Sequence, residues 1–145
     1  MFMIDYKQVN WWYWFATACV LAAGFAGYQI GFVLAIALSV VQFVHFLVRE
    51  RNLAAFTVQV RSVVLLYMVA AFFDPTKILF GIAVAGTWAR SIFGYCLMAR
   101  TVSLFPWNLR TPFSTSLVTR TYCSRPVRGN IMQGLPPAPP AENRV

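Results

Sequence analysis

Few residues in this chain are equipped for chemistry: Arg61 and Arg90 inside apolar runs, a single histidine, His45, four acids and three cysteines. Arg61 lies as far before Asp74 as Arg90 lies after Lys77, so antiparallel helices joined there would hold both guanidinium groups at one depth. Like charges at one level in low dielectric need something to meet them. Lipid phosphate, a carboxylate on a partner subunit and an anionic substrate each satisfy that need. Of the chain's own acids, only Glu50 falls near that level.

His45 sits one turn after Gln42 and one turn before Arg49, which predicts one shared helical face. A lone transmembrane histidine can ligate a tetrapyrrole, through magnesium or five-coordinate haem. Against that, the residue one turn earlier is Val41, not a small residue that makes room for a macrocycle. The plainer reading is an interfacial histidine bonded to lipid, water or a partner.

No catalytic set emerges. Asp5, Glu50, Asp74 and Glu142 lie at segment ends or in the tail, and there is no P-loop, GxGxxG or HExxH. Cys19, Cys96 and Cys123 are widely spaced, without CxxC or Cys/His ligand spacing, so neither zinc nor a disulfide framework is signalled. A non-catalytic chain is expected, with no cofactor beyond the tetrapyrrole that His45 could take.

The elements that position these residues follow from composition. The chain is 59% hydrophobic and 11% charged over 145 residues, with mean hydropathy +0.63. Soluble domains carry about twice that share of charge, so the balance points to lipid as solvent. The net charge of +8 comes mostly from arginines that flank apolar runs, the pattern of anionic head groups rather than nucleic acid.

The sequence predicts an all-α integral membrane protein of four transmembrane helices arranged as two antiparallel hairpins. Residues 1–10 form a cytoplasmic segment. Hairpin 1 covers 11–48, with helices at 11–27 and 31–48; Trp11, Trp12, Tyr13, Trp14 and Phe15 anchor its start, and Gly27 to Gly31 make its turn. The run 11–27 reads as a retained helix rather than a signal peptide, because no basic leader opens it.

Hairpin 2 covers 53–99, with helices at 53–73 and 78–99 broken by Asp74-Pro75. Arg61 makes the third helix the least secure span. Gly81, Ala85 and Ala89 form a small-residue stripe expected to pack the fourth helix against the third. Residues 100–145 hold seven of the eight prolines and predict an irregular, basic cytoplasmic tail, with a short helix at 114–121 and an extended polyproline stretch at 135–140.

With four spans, one side collects Lys7, Arg49, Arg51, Arg100 and the tail arginines, while the other holds Lys77. The positive-inside rule then places both termini in the cytoplasm of a multi-pass inner-membrane protein of bacterial type. The expectation is an accessory or structural subunit of a larger respiratory, photosynthetic or oxygenase complex. Its partners would be other membrane subunits and anionic phospholipids, met by Arg49, Arg51, Arg61, Arg90, Arg100 and Trp107. A His45 pigment binder and a homo-oligomeric anion transporter using Arg61 and Arg90 are the alternatives.

Overall fold

The computed structural model describes residues 4, 6–109 and 111–126. Among them the chain is all-helical, with six α-helices, one 3₁₀ turn and no strand. The polyproline stretch at 135–140, Asp5, Arg110 and Glu142 lie outside the described residues.

The first helix, α1, runs Val9–Phe25 and stops where Gly27 takes φ +111, a conformation that glycine adopts without a Cβ clash. The chain reverses at once into α2, Ile30–Glu50. Gly31 is part of this helix rather than of the turn, and its role is close approach. A Cβ there would run into the backbone of Val20 and Gly24, so α1 and α2 touch main chain to main chain. Gly24 in turn receives the Phe32 ring.

Arg51, in the left-handed region, closes α2 by bonding its N–H to Leu47 O. Asn52 then turns the chain by accepting from Ala54 N, and α3 follows over Phe56–Phe72. Asp74 makes the next reversal. One carboxylate oxygen accepts from Thr76 N and Thr76 Oγ1, and the other accepts from Leu79 N in the first turn of α4, Ile78–Phe93.

The apolar run 78–99 predicted one helix, but it is two. Gly94 adopts φ 73 and accepts the left-handed end of α4, after which the chain bends by 95° into α5, Leu97–Ser103. The Cys96 thiol caps that start by accepting from Ala99 N at 3.4 Å. A 3₁₀ turn, Pro106–Asn108, leads on to α6, Thr115–Cys123, capped by Ser114 Oγ on Leu117 N. Among the described residues after 100, α6 overlaps the short helix expected at 114–121, and the end of α5 adds helix where irregular chain was expected.

Helices α1 to α4 run up, down, up and down, each beside its chain neighbour, with α1 closing the ring against α4. Direction is fixed by contacts at the ends. Trp11 at the start of α1 bonds Ser91 O near the end of α4, while Phe25, Phe32 and Phe80 meet at the opposite end. The Phe32 and Phe80 rings stack at 4.3 Å, and such aromatic pairs contribute about 0.5–1.5 kcal/mol beyond burial.

By length and composition α2 can cross a membrane on its own, and α4 with α5 would do so only if the bent pair counted as one span. The apolar α3 is shorter, at 17 residues.

Candidate functional site

The up-down order gathers charge at one end. The starts of α1 and α3 and the ends of α2 and α4 share it, so Lys7, Arg49, Arg51, Arg61 and Arg90 lie there, with α5 and α6 folded across. Glu50 is the acid among them. At the opposite end lie Asp74 and Lys77, whose ammonium hovers 5.6–5.9 Å from the Phe32, Phe72 and Phe80 rings. Asp74 titrates below the usual carboxylate range because the Thr76 hydroxyl, and then Leu79 N–H, bond its ionised form.

Arg61 does not reach the surface where lipid phosphate would meet it; it is 2% exposed, enclosed by α1 and α2. Its guanidinium donates to Gln42 Oε1 and Asn10 Oδ1 and lies 4.3 Å from the Trp14 ring centre and 4.9 Å from that of Phe46. The other end of the Gln42 amide donates to Thr17 Oγ1 at 2.8 Å, and Thr17 donates to Tyr13 O. Two amide oxygens and two ring faces thus stand where lipid phosphate, a partner's carboxylate or an anionic substrate was expected. Because those acceptors are neutral, the cation keeps its charge uncompensated inside the bundle.

Sequence reasoning missed Asn10, Trp14 and Phe46 as partners of Arg61. Gln42 carried a signal, a primary amide in an otherwise apolar run, but it was assigned to the face of His45. The structure separates them: Gln42 is buried and His45 exposed. Three residues rotate a helix by about 300°, which here carries the chain across the edge of the buried face.

His45 meets Tyr13 on the outer wall between α1 and α2, Tyr13 OH to Nδ1 at 3.3 Å. Arg49 and Arg51 are exposed nearby in the chain. No group of three His, Cys, Asp or Glu residues converges among the described residues, and Cys19, Cys96 and Cys123 are all free.

Arg100, expected to meet lipid or a partner, is instead 1% exposed. It crosses from α5 to α6, donating to Thr121 O, to Ser124 Oγ at 2.6 Å and to Arg125 O at 3.5 Å, with its guanidinium 4.2 Å from the Tyr95 ring centre. It ties down the last carbonyls of α6, where a positive charge also suits the helix dipole. Trp107 fits the surface role better: 70% exposed, it donates to Gln59 Oε1, and Asn108 donates to the same oxygen.

The stripe of Gly81, Ala85 and Ala89 does not face α3. Ala85 is exposed, Gly81 looks toward Phe25 of α1, and α4 buries Phe80, Ala83, Thr87 and Ser91 instead. Packing between α3 and α4 is correspondingly loose, and a groove of about 420 Å³, counted to its open mouth, runs between them. Val64, Tyr67 and Met68 line one wall, Ile82 and Gly86 the other, and Arg90 borders it.

The interior is mostly apolar but holds several polar side chains, while much of the outer wall is apolar too. Thr17, Ser39, Gln42, Arg61, Thr87 and Ser91 are inside, whereas Val33, Leu34, Val40, Val41, Val44 and Val48 of α2 face out, as do Leu66, Val69 and Phe72 of α3. Compared with protein-family models, curated proteins and solved structures, the chain matches none of them.

Proposed function

We propose that this chain is a non-catalytic, multi-pass subunit of a larger bacterial inner-membrane assembly of respiratory, photosynthetic or oxygenase type, with its basic end and the folded-back α5 and α6 in the cytoplasm. The observation that carries the reading is the apolar outer wall of α2 and α3, exposed while Thr17, Gln42, Arg61, Thr87 and Ser91 are buried. Contiguous exposed apolar surface on this scale marks contact with lipid or protein. One-sided basic charge then orients the bundle toward anionic head groups.

At 16 or 17 residues, α1, α3 and α4 each rise about 25 Å, against a hydrocarbon core of about 30 Å. Trp11 and Trp12 at the basic end and Phe73 and Tyr28 at the other extend the apolar reach, and local thinning of the bilayer takes up the rest. The stripe of exposed valines on α2 is the surface proposed for a neighbouring subunit. Native electrophoresis of the solubilised membrane tests this: co-migration with a larger complex is expected, and a stable partner-free monomer in mild detergent contradicts it.

A second reading is favoured by one observation. With Nδ1–H of His45 donating to the Tyr13 hydroxyl oxygen, Nε2 of this exposed residue keeps its lone pair, the tautomer that a tetrapyrrole metal needs. Absorption spectra of the purified protein and of His45→Ala decide it, since a binder must lose a Soret or Qy band in the variant. The anion-transport reading loses its main support, because the chain itself occupies Arg61.

A further inference from the structure

We infer that the groove between α3 and α4 is a binding site for one acyl chain of an anionic phospholipid, whose phosphate is held by Arg90. The inference rests on the membrane reading above and adds a specific place and ligand class to it.

The groove is built for something thin and apolar. Its walls are Val64 and Met68 on α3, Ile82 and Gly86 on α4, with Trp14 of α1 also lining it. A Cβ on Gly86 would meet nothing within 4 Å, so at this point the wall of α4 faces open space. Helical rise between Ile82 and Arg90 is about 12 Å. The volume of about 420 Å³ runs out to the open mouth, so over that length the enclosed cross-section stays below about 35 Å². A helix with its side chains, about 10 Å across, needs more than twice as much. Leu97 and Met98 of α5 also line the groove, and the 95° bend lays them across its basic end, where they block a continuous helix. A single hydrocarbon chain entering from the side fits both limits.

Charge identifies the head group. Arg90 borders the groove at the basic end, half-buried, and its guanidinium makes no hydrogen bond or ion pair among the described residues. Trp14, which lines the same groove, carries the Arg61 guanidinium 4.3 Å from its ring centre, and the hydrogen-bond partners of that cation are neutral. An anion at Arg90 would therefore relieve two cations, and a phosphate diester at the membrane interface lies at that level. A bilayer supplies that diester already joined to an acyl chain.

The test uses the full chain reconstituted in vesicles of phosphatidylcholine with a minority of phosphatidylglycerol, then re-extracted in mild detergent, with retained lipid measured by mass spectrometry. Wild type should retain about one phosphatidylglycerol per chain, preferred about fivefold over its share of the vesicle, the bias expected of one arginine near the head groups. Arg90→Gln should bring the ratio close to that of the vesicle. Gly86→Phe, which fills the groove without striking protein, should lower retention of both lipids. Equal selectivity in wild type and Arg90→Gln overturns the proposal, as does retention untouched by Gly86→Phe, or a free fatty acid carried from the host as the retained ligand. Carbonate extraction of the same membranes separates the two readings. A chain that stays in the pellet but shows no selectivity defeats the groove alone, whereas a chain released by carbonate defeats the membrane reading beneath it.

Discussion

Replacing Gln42 with leucine should destabilise the bundle out of proportion to the atoms removed. Leucine is similar in size, so little cavity opens, but Arg61 loses one of its two amide acceptors and Thr17 loses its donor. A hydrogen bond to a charged group contributes about 1.5–3 kcal/mol. The Thr17 bond, neutral and inside a membrane bundle, adds about 0.6 kcal/mol. The expected loss is therefore about 2–4 kcal/mol, tempered because Asn10 and the Trp14 and Phe46 rings still hold the cation. Arg61→Met, by contrast, removes the charge whose burial was costly and leaves a flexible apolar chain between the two rings. Replacing a buried charge with a well-packed apolar residue is often neutral or stabilising. In the double variant, Arg61→Met with Gln42→Leu, most of the Gln42→Leu loss should vanish, a coupling of about 1–3 kcal/mol. Denaturation in mixed detergent micelles, followed by tryptophan emission, measures all four corners of the cycle, with Trp14 reporting directly. Additive single effects, or a Gln42→Leu loss below about 0.5 kcal/mol, would refute the claim that Gln42 neutralises the cost of burying Arg61.

Three further outcomes follow from the same contacts. Gly31→Ala should separate α1 from α2 and cut folded yield strongly, while Gly86→Ala, facing open space, should be neutral or stabilising by up to about 1 kcal/mol; thermal melts compare them. Asp74, with its folded pKa depressed, contributes stability that is fully present above its unfolded value of 3.8 and is lost as pH falls through the lower folded value. Melting curves at pH 7 and near pH 3 should differ more for wild type than for Asp74→Asn. Arg100→Lys should release α6 nearly as fully as Arg100→Ala, because one ammonium cannot bond Thr121 O and Ser124 Oγ as Nη1 does, reach Arg125 O as Nη2 does and also lie over the Tyr95 ring; amide exchange across residues 115–123 reads this.

Much of the architecture was legible because hydrophobic runs and their breaks record it directly. The reversals at Gly27 and at Asp74-Pro75, and the gathering of basic residues at one end, all follow from spacing. The end of α4 was not read, since Gly94 interrupts the apolar run without lowering its hydropathy much. Arg90 in the last turn followed by a glycine is nonetheless a helix-stop pattern. The interior was least legible. A one-dimensional pattern says that Arg61 needs partners, but whether they come from lipid, another subunit or Gln42 and Asn10 depends on how α1 and α2 rotate about their axes. The same rotation decides why α4 turns Phe80, Ala83, Thr87 and Ser91 inward rather than its small-residue stripe.

The central claim is a bundle embedded in a membrane with its basic end in the cytoplasm, and site-specific labelling with a membrane-impermeant maleimide tests it most directly. Cys123 on α6 is exposed at the basic end, and Thr76→Cys would place a thiol in the reversal at the other end. In spheroplasts of the host bacterium, Thr76→Cys should react from outside, whereas Cys123 should react only after the membrane is broken. Labelling of Cys123 in intact spheroplasts, or equal protection of both sites, would contradict the account.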